Sequence, residues 1–62
     1  MVTELELKDK YSVDDYLDLW IGRTAIDELA IELYVNGGQC TLSRADAILL
    51  AETIVNTLKK DN

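Results

Sequence analysis

The chain has 62 residues, twelve acids against six bases, no histidine and a single cysteine, for a net charge of −6. That length allows one domain, residues 1–62, whose core supplies only about 3–5 kcal/mol of net stability, so help from a partner or a second copy is expected. Cys40 alone excludes an internal disulfide, and the missing histidine removes the commonest general base together with the commonest transition-metal ligand.

Thr3 to Lys8 alternates, with Leu5 and Leu7 on one face and Glu4 and Glu6 on the other, which predicts a half-buried strand. Asp9 to Asp15 is polar and reads as a connection. Tyr16 to Arg23 admits two readings. As a strand it turns Leu17, Leu19 and Ile21 inward and Tyr16, Asp18 and Trp20 outward. As a helix it has Ser12 as N-cap, Asp14 and Asp15 in its first turn and Gly22 as terminator, but it strands Leu19 on the polar side. The strand is adopted here and the helix kept as its alternative.

After a turn around Thr24 to Asp27, Leu29, Ile31, Leu33 and Val35 fall on one face. Asn36-Gly37 is the pair that most readily takes a type I′ turn, so a hairpin is expected there. It sets Val35 opposite Gly38, Leu33 opposite Cys40 and Ile31 opposite Leu42 on an apolar face, and Tyr34 and Glu32 opposite Gln39 and Thr41 on a polar one. Cys40 would then be a buried structural thiol. A helix follows, with Ser43 and Asp46 in a capping-box-like pair and Lys59 and Lys60 at the end that favours cations. At 100° per residue its buried stripe is Ala47, Leu50, Ala51, Ile54, Val55 and Leu58, with Ile48 at the margin and Leu49 pointing away. The expected fold is therefore α+β, an antiparallel sheet of three to four strands with one C-terminal helix on one face. The order is β-β-β-β-α, or β-α-β-β-α on the helical alternative.

Few constellations carry chemistry. Asp14, Asp15 and Asp18 have the Asp-Asp-x-x-Asp spelling that resembles the magnesium-diphosphate motif of prenyltransferases and terpene synthases. That resemblance implies a carboxylate-based magnesium enzyme, but the chain is too short for the helical cavity of those enzymes and has no second acidic motif. Asn36-Gly37-Gly38-Gln39 lacks the Gly-Lys-Ser/Thr of a phosphate loop. Neither catalysis nor a cofactor is expected.

Charge and aromatics point to binding instead. Residues 1–35 hold nine acids against three bases, whereas residues 36–62 are neutral. Such a field repels nucleic-acid backbones and anionic lipid and steers toward basic partners. On the strand reading, Tyr16, Trp20 and Tyr34 share an outer face with Glu4, Glu6, Asp18, Glu28 and Glu32. Tyr and Trp anchor interfaces, and the surrounding acid selects a basic partner. The expected partner-binding set is Tyr16, Asp18, Trp20, Glu28, Glu32 and Tyr34. Small acidic histidine-free chains resemble, in general character, accessory proteins of phages and mobile elements, including inhibitors that imitate nucleic acid. That resemblance implies an interaction module that regulates a larger basic protein; the alternative is an obligate homodimer serving as an assembly piece. An acidic amino terminus and the lack of any apolar run of about 20 residues predict a cytoplasmic chain.

Overall fold

Apolar and polar side chains alternate through three segments, and all three become strands of one antiparallel sheet. In this computed structural model, which describes residues 2–61, the elements are β1 (Thr3–Lys8), β2 (Tyr16–Arg23), β3 (Leu29–Asn36) and α1 (Arg44–Lys60). Met1 and Asn62, the ends of the expected domain, lie outside the described residues. The sheet order is β1-β2-β3. Leu5 and Leu7 pair with Leu19 and Leu17, which in turn pair with Leu33 and Val35, so one face is apolar across all three strands. Residues 16–23 take the strand reading, the one that leaves no apolar side chain on the wrong face.

The order is thus β-β-β-α, and among the described residues no fourth strand forms. The Asn36-Gly37 hairpin is a correction to the sequence reading. Gly38 has φ +85°, not the extended conformation needed to oppose Val35, and Gly37 beside it has φ +95°. The positive φ angles fall on Gly37 and Gly38 and not on Asn36 and Gly37, one residue later than the expected turn, and the chain leaves β3 without pairing with it. Residues 37–43 then cross the end of the sheet, and Thr41 is captured beside β1: Lys10 N–H donates to its carbonyl (2.7 Å) and its own N–H donates to Asp9 Oδ1 (2.6 Å). Seven residues reach about 24 Å, ample for the roughly 10 Å between the outer strands.

Ser43 caps α1 as its position predicts, accepting a hydrogen bond from Asp46 N–H at 3.1 Å, with Lys59 and Lys60 in the last turn. Starting at the β1 end, α1 runs antiparallel to β1 and lies over β1 and β2. Its far end is held by a Thr57–Thr3 hydroxyl contact (3.2 Å) and by the Arg23–Asp61 ion pair. Leu7, Leu17, Leu19 and Ile21 are buried beneath it.

The buried stripe of α1 is rotated from the one expected. Leu50, Ile54 and Leu58 do face the sheet, but Thr53 is half-buried and Thr57 is buried, whereas Ala47, Ala51 and Val55 are exposed. The helix must present Thr57 to Thr3 and Asp61 to Arg23, and that turns part of its apolar stripe off the sheet. Right-handed winding directs Ala47, Ala51 and Val55 toward the β3 side. No helix among the described residues is long and apolar enough to cross a membrane.

Replacing Ser43 with alanine is expected to cost about 1 kcal/mol in urea unfolding, because the Asp46 N–H loses its partner. Asp9 gives a pH test. Its carboxyl is held below its ordinary value of 3.8, first by the Thr41 N–H and then by the Tyr11 N–H. A depressed carboxylate contributes stability that is complete above the unfolded pKa and disappears as pH falls through the folded one. Asp9→Ala is therefore expected to unfold earlier than the native chain at pH 7, with the gap closing as the solution is acidified below that ordinary value.

Candidate protein-binding face

The face of the sheet opposite α1 is uncovered and built in cross-strand rows. Glu4 pairs with Trp20 and Trp20 with Glu32; Glu6 pairs with Asp18 and Asp18 with Tyr34; Lys8 pairs with Tyr16 and Tyr16 with Asn36. The period-2 pleat puts all of these side chains on one side. Of the expected binding set, Tyr16, Asp18, Trp20, Glu32 and Tyr34 come together here. Glu28 does not join the rows: it precedes β3 in the β2–β3 turn, exposed, where its carbonyl accepts from Thr24 N–H (2.9 Å) and its N–H donates to Thr24 Oγ1 (3.1 Å). Glu4 and Glu6 are the additional members. Their place beside Trp20 and Asp18 depends on the β1–β2 register, which the sequence does not specify.

The aromatic half is internally braced. Tyr16 and Tyr34 sit 6.2 Å apart between ring centroids, tilted at 48°, and Lys8 Nζ lies 5.4 Å over the Tyr16 ring while also pairing with Glu6 at 3.3 Å. Tilted pairs of this kind hold aromatic rings in place on an exposed sheet. Trp20 lies along the strand over Gly22, so closely that a methyl group on Gly22 would come within 2.5 Å of the indole. Gly22 thus lets the indole lie flat against the sheet.

The acidic half gathers carboxylates on neighbouring strands around one cation, Lys8. Asp9 N–H donates to the Asp15 carbonyl (2.9 Å), and alternation from that bond makes Leu7–Leu17 and Leu5–Leu19 hydrogen-bonded pairs. Glu6–Asp18 is then a non-hydrogen-bonded pair, the type with the closest side chains, and its two carboxylates are directly opposed. Glu4, Leu5, Glu6, Asp18, Leu19 and Trp20 line an open depression of about 390 Å³. Such a depression suits a guanidinium or ammonium group, which can stack on the indole while pairing with the carboxylates.

The other candidates fare differently. Asp14 and Asp15 lie in the turn before β2 whereas Asp18 faces outward from it, and among the described residues no group of three His, Cys, Asp or Glu side chains is close enough to hold a metal ion. Cys40 is half-buried in the crossing segment, not paired with Leu33. Burial raises its pKa, and so do Asp9, Asp15 and Asp46, which keeps the thiol protonated and a poor nucleophile. Comparison with protein-family models, with curated proteins and with solved structures finds no match for this chain.

Because Glu6 and Asp18 oppose each other, Asp18→Asn is expected to stabilise the isolated protein by about 0.5 kcal/mol at low salt, with the gain shrinking in 1 M NaCl. Paired urea melts at the two salt concentrations measure it.

Proposed function

We propose that this chain is a non-catalytic interaction module whose outer sheet face docks on a basic segment of a larger protein, regulating or inhibiting a nucleic-acid-handling partner in a reducing, cytoplasmic setting. The opposed Glu6–Asp18 pair supports this reading most directly. Two carboxylates are held in the closest class of cross-strand pair, with Glu4 and Glu32 flanking Trp20 in the adjoining row. A basic group seated there adds a second cation to the one that Lys8 already gives Glu6, and so donates charge-assisted hydrogen bonds to several carboxylates at once. Trp20 supplies the apolar anchor and the carboxylates select charge, as interface hot spots combine them. A rigid plane of acid also offers a basic channel the kind of surface that nucleic acid does, and this gives inhibition by mimicry its physical basis.

An arginine-rich peptide serves as the defined probe. Titrated into labelled protein, it is expected to shift the amides of Glu4, Glu6, Asp18, Trp20, Glu32 and Tyr34 and to leave those of α1 in place. Binding should weaken steeply with salt, and Trp20→Ala should weaken it by roughly 30-fold, the scale of an interface hot spot. Shifts spread evenly over the molecule, or affinity indifferent to both salt and Trp20, would remove the basis for this reading.

A further inference from the structure

The opposite side of the molecule carries a second, chemically distinct surface. β3 is an edge strand of eight residues, and α1 leaves its inner face bare: Leu29, Ile31 and Leu33 are 43%, 44% and 56% exposed. The hydrogen bond from Thr24 N–H to the Glu28 carbonyl fixes which backbone groups face where. Alternation from that pair directs Ala30, Glu32, Tyr34 and Asn36 toward β2, so Leu29, Ile31, Leu33 and Val35 hold their N–H and C=O groups out along the free edge. Exposed edges are normally blunted by charge, proline or a bulge. β3 has neither proline nor bulge and only one charged residue, Glu32, whereas β1, the other edge, carries Glu4, Glu6 and Lys8.

We infer that β3 pairs with β3 of a second copy of this chain, antiparallel about a two-fold axis through Leu33, joining two sheets into one of six strands. The register follows from charge and side-chain complementarity. With the axis at Leu33, that residue meets its own copy, Ile31 meets Val35 and Glu32 meets Tyr34, so the inner face is continuous and no like charges oppose. An axis at Glu32 would set two glutamates face to face in a close pair. An axis at Ile31 leaves only Leu29–Leu33 overlapping and runs Tyr34 against Glu28 in the turn.

Surface area points to a second copy as well. The chain exposes 4500 Å², against about 4000 Å² for a compact folded monomer of its mass, and its radius of gyration is 12.6 Å against about 10.5 Å. The excess is somewhat over half of the roughly 800 Å² that each partner contributes to a standard interface, so the dimer is a concentration-dependent one. Pairing uses the inner face and edge of β3, brings Glu32 and Tyr34 to the junction, and leaves Trp20 and the Glu6–Asp18 pair free.

Sedimentation equilibrium and amide hydrogen exchange test this on the full chain. At about 0.5 mM, well above the dissociation constants typical of weak interfaces, the mass should approach twice 7.0 kDa and fall toward 7.0 kDa on dilution. The amides of Ile31, Leu33 and Val35 should gain protection in step with dimer formation. Leu33→Lys alters an exposed side chain, so it should fold normally yet remain monomeric, with those three amides unprotected. In a Cys40→Ser background, Leu33→Cys should form a disulfide-linked dimer on oxidation, because self-paired residues lie about 5.5 Å apart. Ile31→Cys should not, its two copies being four residues and about 13 Å apart. A monomer at 0.5 mM, a dimer whose β3 edge amides exchange freely, or cross-linking at Ile31 and not at Leu33 would each overturn the proposal.

Discussion

The architecture depends on where the chain goes after β3, and that is decided by one clasp. Asp9 takes the Thr41 N–H at one carboxylate oxygen and the Tyr11 N–H at the other, while Lys10 N–H holds the Thr41 carbonyl. The crossing segment is thereby fixed beside β1, two strands away from the strand it leaves. Had residues 38–42 turned back along β3, that strand would lie inside the sheet and the helix would begin from the other side. Crossing instead starts α1 at β1 and runs it over β1 and β2. Both open surfaces, the bare β3 and the acidic outer face, follow from that placement of a single helix on a three-stranded sheet.

β2 is the strand on which both faces depend. Inward it supplies Leu17, Leu19 and Ile21, three of the four buried apolar side chains among the described residues. Outward it places Tyr16, Asp18 and Trp20 in the middle of every row. Because the pleat alternates, the same register that buries Leu19 fixes Asp18 against Glu6 and Trp20 against Glu4. That register fixes the two backbone positions, while the side chains keep their own rotamers and Glu6 bonds Lys8 at 3.3 Å. Hydrophobic burial on one side of the sheet thus decides which acids are neighbours on the other.

β1, β3 and the capped helix were legible in the sequence, because each rests on local alternation or capping chemistry; β2, and with it the grouping of Tyr16, Asp18, Trp20, Glu32 and Tyr34, was legible only as one of two readings, because a short apolar run fits both periods. Features set by tertiary contact were not. Asn36-Gly37 has the local chemistry of a hairpin turn, but the partners of Thr41 lie more than thirty residues earlier, at Asp9 and Lys10. The stripe of α1 was misplaced for a similar reason. Periodicity locates the apolar side of a helix, whereas Thr57 and Asp61, bonded to Thr3 and Arg23, determine which side meets the sheet. Glu4 and Glu6 joined the outer face by alternation alone; their pairing with Trp20 and Asp18 required a register no local signal carries. Glu28 was assigned to that face by parity, but it falls in a turn, where Asp27 takes φ +63° and the rows end.

The rotation of α1 has a consequence for self-association. A helix centred on its apolar stripe would bury Ala47, Ala51 and Val55; here they flank the open space above β3 instead. An apolar floor of Leu29, Ile31 and Leu33 therefore meets an apolar wall, and, apart from Arg23, which pairs with Asp61, the charged residues of the strands lie on the other face. Like-charged copies repel most where their acids meet, yet an approach along the β3 edge brings together the edge strand with fewer acids, Glu32 alone, and keeps Glu4, Glu6 and Asp18 two strands or one strand away from the junction. Screening over about 8 Å at physiological ionic strength weakens their mutual repulsion at that distance. The net charge of −6 thus opposes association in general but opposes it least along β3, and the acidic face stays free for a partner of opposite charge.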